Sequence, residues 1–249
     1  MKKKNVQHQS YPLSFAMIAS FLLIIGVLTV LTYMRNGIYH NNVTLWADIA
    51  KRSPNKRRAH ENYGQALSTA GFYKEALREF QTVQALEDDG SVPSRDLYRE
   101  IGVVYYRMER YDEAISAWQK GLQDSPLDPS LLNNLAVVML QIGRYDEAAK
   151  YALSAISEAP NMPSALNTLG QIFMMKKDYK KAYDYFLKAL EYEPDVPQRY
   201  WNVAIALEQR KKYDQAYQYA SRYAAMERDA GSLQRAYKYL ERLKKLMGT

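Results

Sequence analysis

The sequence predicts an all-α protein in which one N-terminal transmembrane helix is followed by a right-handed solenoid of about five helix pairs. Three observations predict this fold: an uncharged apolar run near the N-terminus, a motif that recurs about every 34 residues, and an amphipathic last helix. A half-repeat is expected before the helix pairs and a capping helix after them. The predicted segments are a basic cytoplasmic tail (1–12), the transmembrane helix (13–33), a short linker (34–41), the half-repeat (42–56), the helix pairs (57–230) and the capping helix (231–249).

Composition and charge exclude several function classes. The 249-residue chain has no cysteine, which excludes disulfides, thiolate metal sites and a cysteine nucleophile. Its net charge of +7 is concentrated at one end, because residues 1–58 hold nine Lys and Arg residues and one acid, Asp48. The remaining residues hold 25 basic and 26 acidic side chains, without the basic excess that a nucleic-acid-binding surface needs. The sequence therefore predicts no nucleic-acid partner.

The apolar run predicts a membrane anchor. No residue from Tyr11 to Met34 is charged. A helix over residues 13–33 would reach about 31 Å, the thickness of the hydrocarbon core of a bilayer. The alternative is a cleaved signal peptide, whose apolar part is about 7–15 residues long and ends at a small-x-small site. The run is longer than that, and 31–34 offers no such site, so an uncleaved anchor is favoured.

The flanking charges predict the orientation of the anchor. Lys2, Lys3 and Lys4 precede the run, whereas only Arg35 follows it closely. The positive-inside rule then leaves the N-terminus in the cytoplasm and the rest of the chain outside it. We expect a single-pass inner (cell) membrane protein whose helix pairs lie in the periplasm or another extracytoplasmic space.

A Tyr-x-x-Ala motif marks the repeats. It begins at Tyr73, Tyr111, Tyr145, Tyr179 and Tyr213, which are separated by 38, 34, 34 and 34 positions. Nine positions before these tyrosines stand small residues: Gly64, Gly102, Ala136, Gly170 and Ala204. Fifteen positions after the tyrosines of the three middle repeats stand Pro126, Pro160 and Pro194. Such a pattern indicates repeated helix hairpins that end at proline.

The period and these positions resemble the tetratricopeptide repeat, a helix–turn–helix unit of 34 residues. The resemblance covers residues 57 to about 230. It implies that small residues let helix A of each repeat approach its helix B, while large apolar residues such as Phe80, Trp118 and Phe186 fill the space between repeats. No repeat can bury its apolar side alone, so stacking supplies the core.

Three segments depart from the regular repeat. Residues 88–93 lengthen the first repeat and are expected to form a surface loop or, alternatively, a binding loop. Pro54 takes the place of a closing proline, so 42–53 is interpreted as an unpaired helix B with Trp46 at an apolar packing position. Residues 232–246 predict an amphipathic helix whose basic side suits the end of a solenoid or, alternatively, contacts acidic lipid or an acidic partner.

The resemblance places a binding surface in the concave groove that helix A of each repeat lines. The candidate side chains are Asn62, Arg99, Tyr106, Arg107, Asn133, Asn134, Gln141, Asn167, Gln171, Met174, Trp201 and Asn202. Amides dominate this set, and they both donate and accept hydrogen bonds, so a row of them can pair with an extended peptide of any sequence. Asparagines at the sixth repeat position resemble the asparagine ladder of eukaryotic O-linked N-acetylglucosamine transferase, although Glu100 and Thr168 interrupt them. The alternative is that these amides are simply tolerated on a solvated helix.

No catalytic constellation is found in the sequence. The three histidines are His8, His40 and His60, and the last is expected to be a packing residue. Phosphate loops, nucleophile elbows and zinc motifs are missing. The sequence therefore predicts a protein that is not an enzyme and that takes no cofactor and no metal.

A second resemblance bears on function. The segments 42–48, 53–56 and 60–64 resemble the junction between the last membrane helix and the repeats of polytopic glycosyltransferase-like proteins. The first hypothesis is a membrane-anchored scaffold or adaptor that binds proteins or extended peptides in its groove during assembly of an envelope complex. The alternative is an accessory subunit that binds acceptor polypeptides for a membrane glycosyltransferase. The expected partners are a protein or peptide and, through residues 13–33, the lipid bilayer. The sequence also allows a homo-oligomer.

Overall fold

The computed structural model describes residues 15–38, 41–86 and 95–248. Within these residues the chain is all α-helical, as the sequence predicts. The thirteen helices are α1 (Phe15–Ile38), α2 (Asn42–Arg52), α3 (Arg57–Thr69), α4 (Tyr73–Leu86), α5 (Arg95–Arg107), α6 (Tyr111–Asp124), α7 (Pro129–Gln141), α8 (Tyr145–Glu158), α9 (Pro163–Met175), α10 (Tyr179–Tyr192), α11 (Pro197–Gln209), α12 (Tyr213–Met226) and α13 (Ala230–Met247). The predicted tail at 1–12 and loop at 88–93 lie outside the described residues.

The chain divides into two compact units, residues 1–89 and 90–249. Unit 1 contains α1 to α4, and unit 2 contains α5 to α13. The boundary falls inside the segment 57–230 that the sequence predicts as one array. In unit 1, α3 packs on both α2 and α4. In unit 2, the hairpins α5–α6, α7–α8, α9–α10 and α11–α12 stack in chain order, and α13 covers α12 as the capping helix.

The N-terminal helix differs from its prediction. Within 15–38, 41–86 and 95–248, no helix is both long enough and apolar enough to cross a membrane. The transmembrane helix predicted at 13–33 is therefore not found there; residues 13 and 14 lie outside the described ones, and α1 occupies Phe15–Ile38. The predicted linker at 34–41 is shorter than expected, because the α1 backbone stays helical to Ile38.

The turns inside the hairpins all use the same backbone device. Each three-residue turn between helix A and helix B has its second residue in the left-handed conformation, with φ between 58° and 87°: Gly71, Glu109, Gly143, Lys177 and Lys211. The N–H of the next residue reaches back to a carbonyl in the last turn of helix A, as Asp178 does to Phe173 at 2.9 Å. These bonds satisfy carbonyls that the end of a helix leaves unpaired.

Helix A and helix B approach most closely where the small residue of helix A meets a residue sixteen positions later on helix B, which we call the plug residue. A β-carbon added at Gly64 would lie 2.6 Å from Cε1 of the Phe80 plug, and one added at Gly170 would lie 2.5 Å from Cδ1 of the Phe186 plug. Gly102 faces the Trp118 plug even more tightly. A glycine is therefore required wherever the plug is aromatic.

The other two hairpins solve the same packing problem with alanines. Ala136 is paired in sequence with the plug Ala152, and Ala204 with the plug Ala220, and all four side chains are completely buried. The members of each pair belong to one core cluster. The two positions are thus matched in these hairpins: glycine stands opposite an aromatic plug, where a β-carbon would overlap the ring, and alanine stands opposite alanine.

We expect Gly170→Ala to lower the free energy of unfolding by about 1–3 kcal/mol, because the new methyl group would overlap the Phe186 ring. In a Phe186→Ala background the same change should cost much less, since the hairpin then carries the alanine pair found in α7–α8. Urea denaturation followed by circular dichroism measures both effects. Gly231→Ala is the matched control, because its β-carbon would meet nothing closer than 3.4 Å. Strictly additive losses from Gly170→Ala and Phe186→Ala would contradict the direct contact.

Candidate functional site

The candidate residues all lie on helix A of their repeats. Unit 1 holds Asn62 on α3. Unit 2 holds the other residues, on α5 (Arg99, Tyr106, Arg107), α7 (Asn133, Asn134, Gln141), α9 (Asn167, Gln171, Met174) and α11 (Trp201, Asn202). In unit 2, α7 and α9 pack side by side, which brings neighbouring members of the row together.

Three amides at the C-terminal end of the row bond to one another. Nδ2 of Asn202 on α11 donates to Oδ1 of Asn167 on α9 at 2.5 Å. Nε2 of Gln198 donates to Oδ1 of Asn202 at 3.1 Å. Gln198 is not among the predicted site residues, although its position as the second residue of helix A could have indicated it. In this part of the predicted groove, the ladder residue Asn202 therefore bonds to two amides from other repeat positions.

Asn133 occupies on α7 the place that Asn167 occupies on α9, but its amide is not completed. The side chain is only 8% exposed, and its Oδ1 has no hydrogen-bond partner in the described part of the chain. The residue in the place of Asn202 one repeat earlier is Thr168, whose hydroxyl donates to the Ser164 carbonyl at 2.9 Å. Because the short Thr168 side chain bonds to its own helix, it leaves Asn133 without a donor. An unsatisfied buried acceptor of this kind costs about 1–3 kcal/mol.

Trp201 has a different environment from the one predicted. Its ring centroid lies 4.9 Å from that of Tyr223 on α12 and 4.8 Å from that of Tyr239 on α13, so it packs under the capping helix. The Tyr239 hydroxyl donates to the Ala204 carbonyl at 3.3 Å. Burial, reinforced by the nearby charge of Glu208, raises the pKa of Tyr239, which keeps the phenol neutral. Trp201 is thus partly buried and packs against the core at the end of unit 2.

The α5 end of the row is held by local interactions. The Arg99 guanidinium donates to Asp96 at 2.8 Å and to Glu100 at 3.4 Å. The Tyr106 ring lies 5.8 Å from Tyr111 and 6.2 Å from Trp118, centroid to centroid. Burial, with a smaller effect of Tyr111, raises the pKa of Tyr106, so its hydroxyl stays a neutral hydrogen-bonding group.

The middle of the row is the most accessible part. Gln141 and Gln171 are exposed, as is Arg107, whereas Asn134 and Met174 are partly buried. Met175, next to Met174, is also exposed. These side chains combine hydrogen-bonding amides with flexible thioethers that adapt to differently shaped ligands.

Asn62 lies in a different setting. With Trp46 of α2 and Phe72 of the α3–α4 turn, it lines a cleft of about 520 Å³ within unit 1. This cleft is not among the sites predicted from the sequence. Its walls are the first half of α2 and the second half of α3.

The described residues contain no group of three or more His, Asp or Glu side chains that could hold a metal ion. Both nitrogens of the His60 ring have partners: Nδ1 lies 2.7 Å from Oε2 of Glu79, and Nε2 lies 3.0 Å from the Pro54 carbonyl. His60 thus ties α3 to α4 and to the turn before α3, as a packing residue does.

Family models and relatives agree with this architecture. Residues 99–163 and 163–196 match models of the tetratricopeptide repeat, so these hairpins are tetratricopeptide repeats. The chain is 27% identical over 103 residues to the protein O-mannosyl-transferase TMTC1 of Homo sapiens, covering 41% of this chain and 11% of that protein. It is 30% identical over 98 residues to the photosystem I assembly protein Ycf3 of Synechococcus sp. strain WH7803, covering 37% and 56%. The chain thus spans about a tenth of the first relative and about half of the second.

Solved structures share the fold. Pseudomonas aeruginosa pilF matches with a TM-score of 0.67 at 22% identity, covering 77% of this chain and 84% of that one. Yeast Tom70 matches with a TM-score of 0.69 at 17% identity, covering 82% and 43%. YrrB, described as a TPR protein with an unusual peptide-binding site, matches with a TM-score of 0.54 at 18% identity, covering 78% and 97%. At these identities the likeness shows the fold alone.

The unequal amides of α7 and α9 allow a paired test. We expect Asn133→Leu to raise the free energy of unfolding by about 1 kcal/mol, because it removes a buried acceptor that has no partner in the part of the chain that the structure describes. Asn167→Leu, the same change one repeat later, should lower it by about 1 kcal/mol, because Asn202 loses its acceptor. Thermal and urea denaturation of the two variants measure the difference. Equal losses in both would show that Asn133 is satisfied in solution.

Proposed function

We propose that this chain is a membrane-attached scaffold that binds an extended peptide or protein segment along α5, α7 and α9 of unit 2, during assembly of an envelope complex. The observation that carries the proposal is the incomplete amide row at α7, where the buried Oδ1 of Asn133 has no partner among the described residues. The repeat fold itself supports protein binding, because stacked helix hairpins present a long surface of this kind.

The binding segment is expected to be centred on α7 and α9. At the α11 end, Asn167, Asn202 and Gln198 already use one another, and Trp201 lies under α13. At α7, a peptide N–H between α7 and α9 would donate the hydrogen bond to Oδ1 of Asn133 that Thr168 does not donate. Since every residue except proline has this N–H, recognition depends little on sequence. The exposed amides nearby extend the same chemistry along the segment.

The similar proteins support a role in assembly. Ycf3 of Synechococcus is a photosystem I assembly protein, and YrrB is described as having an unusual peptide-binding site. By analogy we propose a binding step in the assembly of a larger complex, and not a catalytic one. The partner would be a protein or a peptide.

Membrane attachment is supported by the surface of α1. Nine large apolar side chains from Met17 to Val30 are each 44–70% exposed within the chain. An apolar surface of this extent needs a cover of lipid or protein. We propose that α1 enters the bilayer of the cell membrane. In this proposal the positive charges of Lys2, Lys3 and Lys4 keep the N-terminus in the cytoplasm, with the repeats outside.

The alternative function is an accessory subunit that presents acceptor polypeptides to a membrane glycosyltransferase. The match to the protein O-mannosyl-transferase TMTC1 favours it, together with the junction resemblance at 42–48. The same groove would then hold an acceptor polypeptide. The two functions differ in the identity of the protein that the groove contacts.

Photocrosslinking tests the groove. A photoreactive residue at Gln171 in the full chain should crosslink a protein in native membranes, because this exposed side chain lies beside the incomplete amide row. The matched control is the same residue at Leu153, which is exposed on helix B of its repeat. The same adducts from both positions would mean that the groove binds no specific partner. A glycosyltransferase or its acceptor as the specific adduct would select the alternative function.

Membrane attachment has its own test. We expect the protein to resist extraction from membranes by alkaline carbonate, and the double variant Leu23→Lys/Leu28→Lys to be released, because two charges in an apolar helix oppose burial in lipid. The control Leu127→Lys/Leu153→Lys places the same charges on exposed apolar sites of unit 2 and should stay bound. Extraction of the unaltered protein by carbonate would contradict the attachment.

A further inference from the structure

Trp46 on α2 has the position of a plug residue, but within 15–38, 41–86 and 95–248 it faces an open cleft and not a helix A. It stands 34 positions, one repeat length, before Phe80, which is the plug residue of α4. Phe80 and Trp118 are almost completely buried, and each packs against the glycine of its own helix A. Trp46 is partly exposed and lines the cleft of about 520 Å³ between α2 and α3. The cleft therefore lies where the repeat geometry would place a preceding helix A.

The helix that precedes α2 in the chain does not fit this place. The residue sixteen positions before Trp46 is Val30. At the equivalent position, each aromatic plug of the other hairpins faces a glycine. Val30 is 57% exposed, so it does not pack on Trp46 as Gly64 packs on Phe80. Among the residues whose side chains the structure describes, those that line the cleft belong to α2, to α3 and to the residues next to these two helices. The branched side chain of Val30 would overlap the indole if α1 took the position of helix A.

We propose that this cleft receives a helix from another protein chain, and that this helix carries glycine where it crosses Trp46. In this cleft a helix would pack on α2 as α3 packs on α4, one repeat closer to the N-terminus. The packing of Gly102 on Trp118 shows the geometry that such a helix would repeat, since both plugs are tryptophan.

The walls of the cleft define the chemistry of the partner helix. The α2 wall carries the apolar side chains Val43 and Trp46 beside the polar Asn42 and Thr44, and the exposed Phe72 extends its apolar part at the rim. The α3 wall carries the polar side chains Asn62 and Gln65. The partner is thus an amphipathic helix with an apolar stripe and a glycine toward Trp46 and with hydrogen-bonding side chains toward α3. This proposal depends neither on the groove of unit 2 nor on membrane attachment.

Disulfide tethering tests the proposal, because the chain has no cysteine of its own. A Thr69→Cys variant of the full chain places one thiol at the cleft, since Thr69 lines it and is exposed. The probe is a synthetic peptide of residues 95–107, the helix A that faces a tryptophan plug, with an added terminal cysteine. Its mixed disulfide should withstand about tenfold more competing thiol than that of a Gly102→Leu peptide, a difference of about 1.4 kcal/mol.

Replacement of the plug residue Trp46 provides a second test. In a Trp46→Ala background, a Gly102→Ala peptide should be retained at least as well as the glycine peptide, because an alanine plug pairs with alanine in α7–α8. A cysteine at Ala85, exposed on α4, is the control site and should not distinguish the peptides. Equal retention of the glycine and leucine peptides at Thr69→Cys would overturn the proposal. A disulfide between two chains that excludes the peptide would also overturn it, in favour of a second copy.

Discussion

The contact between the small residue of helix A and the plug residue of helix B sets the geometry on which every other feature depends. Where the plug is aromatic the partner is glycine, as at Gly170 and Phe186, and where the plug is alanine the partner is alanine. A larger side chain at the small position would overlap an aromatic plug, so the two positions cannot vary independently. This constraint fixes the distance between the two helices, and with it the side of helix A that is turned away from helix B.

The groove follows from that constraint. Because each helix A is held in the same way, equivalent residues of neighbouring repeats meet, and an amide on one helix can bond to an amide on the next. Asn167 and Asn202 form this bond. In the equivalent pair, Thr168 bonds to Ser164, and Oδ1 of Asn133 has no partner among the described residues. A single departure from the repeat thus divides the row into a closed part and an incomplete part. The incomplete part is the one that the proposed ligand would complete.

The sequence predicts the repeated features of the fold well, because the helix hairpins depend on local periodicity and on small residues at fixed spacing. The helices of unit 2 lie in the phase that the tyrosine motif indicates. Features that depend on contacts outside the period could not be predicted. Trp201 has the register of a groove residue, but α13 covers it with Tyr239. The cleft at Trp46 lies where the described part of the chain places no helix A, and a repeated motif does not indicate such a gap. The amide bonds depend on which side chain the adjacent repeat supplies.

The pairing of small residue and plug also determines which pieces of such a gene can be exchanged. A crossover within the turn that holds Lys177 would join helix A of one repeat to helix B of another, and could set an alanine against Phe186. A crossover between hairpins, near Pro160 or Pro194, keeps each pair together. The hairpin is therefore the smallest portion that recombination can duplicate or shuffle without damage. Sequence variation at the two paired sites is expected to be inherited together, even though sixteen residues separate them.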